Sequence, residues 1–162
     1  MTGHAIETYL NDHLAGAMFG SNVAEQIRDR SEGTPLRELM DWLAPEIEED
    51  RQTLIDVMEK LDVARSPVKE ATTWLAEKAS RMKFAGGTAH EVELGTFTAL
   101  EALRLGVEGK LCLWTTLRAV SGELPALRSI DLGALIERAV AQRDRLEQER
   151  IEAGRAALRN DT

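Results

Sequence analysis

The stretch that decides the fold is residues 89–158, read as AHEVELGTFTALEALRLGVEGKLCLWTTLRAVS (89–121), GELPALR (122–128) and SIDLGALIERAVAQRDRLEQERIEAGRAAL (129–158). Apolar residues recur at three-four spacing through both long pieces, the period of a helix, and no alternating run points to a strand. Pro125 centres the short link between them. Two antiparallel helices joined by a short loop bring residues face to face in a fixed order outward from the loop centre. Counting out from Pro125 pairs Leu94 with Ala157, Thr98 with Ala153, Glu101 with Arg150 and Leu105 with Leu146. It then pairs Glu108 with Arg143, Cys112 with Ala139, Thr115 with Ile136 and Ala119 with Leu132. The rungs step by three or four, as a bundle seam requires. All are small or apolar except Glu101–Arg150 and Glu108–Arg143, and both of those are opposite in charge.

The N-terminal half repeats the pattern. A helix is expected from about His4 to Arg30, with Ile6, Leu10, Ala17, Ala24 and Ile27 on one face. It stops at a turn, Ser31-Glu32-Gly33-Thr34-Pro35, in which Thr34 is suited to cap and Pro35 to open the next helix. That second helix is expected to reach Asp62, kinked but not stopped at Pro45 because the apolar period continues in phase. Counting out from Glu32 gives apolar rungs from Ile27–Leu36 to Ile6–Val57, with one polar rung, His13–Asp50. Ser66-Pro67 opens a shorter helix, about 67–82. Thr88 then caps a third long helix, about 89–121, and a fourth runs from about Ser129 to Leu158.

The expected fold is all-α: one domain over 1–162, a four-helix bundle running up-down-down-up, with residues 63–87 crossing its length and carrying the short helix. In that arrangement His13, Asp50, Glu108 and Arg143 share one height, and Glu101 and Arg150 lie two turns away, roughly 10 Å. These six residues are expected to form a buried polar layer, as structural ion pairs or as a ligand site.

Two antiparallel hairpins with one long crossover resemble the ferritin-like superfamily. Its metal-binding members carry a Glu on the first and third long helices and Glu-x-x-His on the second and fourth. Here the corresponding places read Glu46-x-x-Glu49 and Glu147-x-x-Arg150, and the histidines are His4, His13 and His90. The resemblance therefore implies a divergent member in which the di-iron motif is broken, with no metal, no cofactor and no catalytic residue expected. Arg143 and Arg150 would supply the positive charge that buried carboxylates need. Were a metal bound, its ligands would be Glu49, Asp50, Glu101, Glu108 and His13. The functional expectation is a non-catalytic bundle acting through protein contacts, as a homodimer. The alternatives are a metal-binding oxidoreductase or iron-handling protein with an unorthodox carboxylate site, and a bundle that binds a small ligand.

The dimer expectation rests on a second apolar stripe of the third helix, Leu100, Leu103, Val107, Leu111, Trp114 and Leu117, since a bundle helix needs only one such face. The crossover helix, through Val68, Ala71, Trp74 and Leu75, is the other candidate cover. Gly106 and Gly109 fit no phosphate loop and are read as permitting close helix contact. Cys112 is read as an inert core residue, and as the chain's single cysteine it points to a reducing, cytoplasmic setting. Twenty basic against 28 acidic side chains, a formal charge of −8, argue against nucleic acid and anionic membrane partners. Neither a signal peptide nor an apolar run long enough to span a bilayer is legible. An unidentified protein partner or small ligand remains open.

Overall fold

The computed structural model of the chain describes residues 3–66 and 87–159. Four long helices make up this part: α1 (His4–Arg30), α2 (Pro35–Lys60), α3 (Ala89–Val120) and α4 (Leu132–Ala157). A 3₁₀ turn, Pro125–Ser129, links α3 to α4. There is no strand among the described residues. The helix expected at 67–82, with Val68, Ala71, Trp74 and Leu75, lies outside the described residues.

Local chemistry sets the helix ends. Ser31 closes α1, its hydroxyl donating to Ile27 O at 2.6 Å, and Gly33 then takes a left-handed φ of 75° that side chains resist. Thr34 sits at the N-cap of α2, but its hydroxyl donates back to Ser31 O at 2.7 Å instead of capping the helix. α2 runs through Pro45 as expected. It stops at Lys60, two residues short of the expectation, because Asp62 turns left-handed at φ 54°. The Asp62 and Val63 N–H groups then reach back to Glu59 O and Met58 O, at 3.1 and 2.9 Å. This is a Schellman closure, and the buried Val63 and Met58 join the core beside it. α3 opens on a capping box between Thr88 and Glu91. α4 starts at Leu132 rather than Ser129, since Asp131 accepts the Ala134 N–H at 3.0 Å and marks the true N-cap.

The core falls into two apolar clusters. One joins Leu10 and Leu14 of α1, Leu54 to Met58 of α2, Leu113 to Leu117 of α3, and Leu132 to Ala139 of α4. The other joins Val23 to Ile27 of α1, Leu39 to Ile47 of α2, Ala99 to Val107 of α3, and Leu146 of α4. α1 and α4 therefore run from the first cluster to the second, and α2 and α3 run back. The neighbours are α1 with α2, α3 with α4, α1 with α3 and α2 with α4.

The second apolar stripe of α3 is core. Leu100, Leu103, Val107, Trp114 and Leu117 are each no more than 2% exposed, and Leu111 is partly buried. They pack against α1 and α2 within the same chain, so the homodimer expectation loses the surface it rested on. The edge expected to be buried faces out instead: Leu94 and Leu105 are 42% and 43% exposed, and Cys112 is exposed rather than an inert core residue.

Candidate functional site

The two apolar clusters are separated by polar side chains placed where the helical period calls for apolar ones. Asp50 follows Ile47 by three and precedes Leu54 by four. Lys110 stands in the same way between Val107 and Trp114, and Gln142 between Ala139 and Leu146. Identical spacing on α2, α3 and α4 brings the three to one level. Asp50 is 2% exposed and Gln142 is fully buried.

Burial of these groups is tolerable only because they satisfy one another. Lys110 Nζ donates to Asp50 Oδ2 at 2.5 Å and also to Gln142 Oε1. Arg138, one turn before Gln142, donates to the other Asp50 oxygen and to Glu49 Oε1, the latter at 3.0 Å. Gln142 Nε2 donates to Glu46 Oε2 at 2.9 Å and to Asp50 Oδ2 at 3.2 Å. Burial pushes the Lys110 ammonium below its ordinary range, and the Asp50 carboxylate opposes that shift. The Arg138 Nε–H is buried with no acceptor.

Beside this layer, between α1, α2 and α3, lies a cleft of about 210 Å³. Its walls are largely apolar: Ala17 and Phe19 of α1, Ile47 and Leu54 of α2, Leu103, Val107, Leu113 and Trp114 of α3. Asp50 and Lys110 line its polar side, with His13, Asp12 and Arg51. Three helix-interior glycines line it as well, Gly16, Gly106 and Gly109. A methyl group added at any of them would meet no atom within 4 Å. Gly106 and Gly109 therefore do not serve close helix contact, as their spacing had suggested; they leave space. The indole N–H of Trp114, a residue with no exposed surface, has no acceptor.

The six residues expected to form one layer separate into three places. Asp50 is in the layer. His13 lines the same cleft but does not pair with Asp50; it packs edge-on to Tyr9, ring centres 4.6 Å apart. Burial lowers its basicity, and the neighbouring Asp12 partly offsets this. Glu101 and Arg150 meet at 3.2 Å, in the register counted from Pro125. Glu108 and Arg143 stand only at 4.0 Å, and Glu108 is held more closely by Arg104, at 3.1 Å. Neither pair is buried: the Glu101 and Glu108 side chains are 41% and 38% exposed. The short loop sets axial alignment but not rotation about the helix axis, so these two charged rungs lie at the outer edge of the α3–α4 contact.

The di-metal centre of the metal-binding ferritin-like members does not fit these residues. Among the described residues no three His, Cys, Asp or Glu side chains converge. Glu49, Asp50, Glu101, Glu108 and His13 are thus not a ligand set, and two cations already occupy the Asp50 carboxylate. The positive charge expected from Arg143 and Arg150 comes instead from Lys110 and Arg138. Lys110, Arg138 and Gln142 are absent from the sequence reading, and Trp114 enters it only as part of the apolar stripe. The signal for two of them was present, a Lys and a Gln each standing at an apolar position of the period.

Comparison with protein families, with curated proteins and with solved structures finds no match. No helix among the described residues is long and apolar enough to cross a membrane.

Proposed function

We propose that this bundle binds a small, mainly apolar molecule in the cleft between α1, α2 and α3. The observation that carries the reading is the set of three cleft-lining glycines with open space above them. A glycine in a helix interior costs about 0.5–1 kcal/mol relative to alanine. No neighbouring side chain requires these three to be small, so what they preserve is the cleft. Its volume of about 210 Å³ exceeds the roughly 150 Å³ of a cavity that takes up benzene. Leu105 and Gly106, both exposed, give the cleft a lip open to solvent. The test is a thermal-shift titration with benzene and larger aromatic probes on the wild type and on Gly106→Leu, whose side chain would fill the cleft. Protection of the wild type alone supports the reading; equal protection of both, or of neither, rejects it.

The same proposal keeps the ferritin-like arrangement for the bundle. What supports it is that all four neighbouring helix pairs are antiparallel, with α2 ending at the cluster opposite to that from which α3 begins. An experimental structure in which α2 and α3 run in opposite directions would overturn that part.

A further inference from the structure

The charges around the cleft say what kind of head its ligand carries. Each cation beside it already has a carboxylate. Lys110 donates to Asp50, Arg51 to both oxygens of Glu48, and Arg138 to Glu49. Asp12 is the exception. It lines the cleft from α1 and is exposed, which places it where the cleft meets solvent. No side chain among the described residues donates a hydrogen bond to its carboxylate.

His13 stands next to it. The residue is partly buried, lines the same cleft, and packs its ring edge-on to Tyr9 instead of hydrogen-bonding to a neighbour. Burial holds it toward its neutral form, with Asp12 partly opposing, and a neutral imidazole keeps one nitrogen as an acceptor. Gly16 follows these two residues by four and three, the spacing that puts positions on one helix face. A carboxylate without a cation and a neutral ring therefore stand one turn from the space that Gly16 leaves open.

An anionic head would meet the Asp12 charge and cations that are already neutralised, so its desolvation would go uncompensated. A cationic head finds the opposite: one carboxylate to pair with, in a chain whose formal charge is −8.

We infer that the cleft selects a compact apolar amine, its ammonium held at the mouth by Asp12 and the His13 ring and its body seated against the apolar walls. This rests on the cleft being a ligand site, and it adds the head group that those walls leave undefined. A volume of about 210 Å³ suits a single aromatic ring with a short substituent, scaled from the benzene-sized cavity of about 150 Å³.

Three probes of similar shape test it: benzylamine, ethylbenzene, which puts a methyl where the ammonium was, and benzoate, which reverses the charge. Affinities are measured by calorimetry on the full chain, near neutral pH and at low salt, where an exposed ion pair is least screened. Benzylamine is expected to bind more tightly than benzoate. Asp12→Asn should weaken benzylamine about three- to fivefold, the range of a partly exposed ion pair, and leave ethylbenzene as it was. Asp12→Glu, which keeps the charge, should retain most of the benzylamine affinity. Asp12 is exposed and has no hydrogen-bond donor of its own, so both variants should fold as the wild type does. Benzoate binding as tightly as benzylamine, or benzylamine indifferent to Asp12→Asn, would overturn the amine inference; ethylbenzene bound by the wild type and lost in Gly106→Leu would then leave the cleft as a ligand site. Binding of none of the three, or binding untouched by Gly106→Leu, would overturn the ligand site itself.

Discussion

Asp50 of α2 and Lys110 of α3 form an ion pair of 2.5 Å at the level where the two apolar clusters meet, with the carboxylate side chain 2% exposed and the lysine 14%. Asp50 also accepts from Arg138 and Gln142, so it is the common partner of groups from two other helices. Removing it leaves the Lys110 ammonium without a carboxylate, while Arg138 keeps Glu49 at 3.0 Å; removing Lys110 leaves the carboxylate with two remaining donors.

Asp50→Leu is therefore expected to destabilise by ~3–5 kcal/mol, the usual cost of breaking a buried pair. Lys110→Met should cost roughly 1–3 kcal/mol, in the range of a lost charged hydrogen bond. The double variant should lose less than the two added together, and a double-mutant cycle by denaturant unfolding measures the coupling. Strict additivity would show that the two side chains do not interact.

Gly106→Ala should raise stability by about 0.5–1 kcal/mol, because helix propensity improves and the added methyl meets nothing within 4 Å. Gly33→Ala is the contrast, since its φ of 75° strains any side chain, and it should lower the melting temperature. A drop for Gly106→Ala would mean that the cleft wall is packed tightly.

Arg143→Met should change stability by less than about 1 kcal/mol, the range of exposed ion pairs. Arg143 stands 4.0 Å from Glu108, and both side chains are partly exposed. Urea unfolding decides it; a loss several times larger would place this pair in the interior.

His13 predicts a pH dependence. Its folded-state basicity is lowered by burial, with Asp12 partly opposing, so the unfolded chain binds the proton first as pH falls. The stability that neutral His13 allows is present above about pH 6.5 and is lost as the solution is acidified below it. Between about pH 7.5 and 5.5 the wild type should lose more stability than His13→Gln. Parallel curves for the two proteins would remove His13 from the titration.

The all-α class, the four long helices and the pairing order of α3 with α4 were legible in the sequence. Period, caps and turn residues are local signals, and a short loop around Pro125 permits one axial alignment, seen in the meeting of Glu101 with Arg150. What the loop does not set is rotation. α3 is apolar on two faces, and only packing against α1 and α2 decided that Leu103, Val107 and Trp114 turn inward while Leu105 and Cys112 turn out. That rotation drew Lys110 into the interior and left Glu108 at the edge. The cleft is likewise tertiary: Gly16 and Gly106 are far apart in the chain, and a space between helices exists only once they are packed side by side.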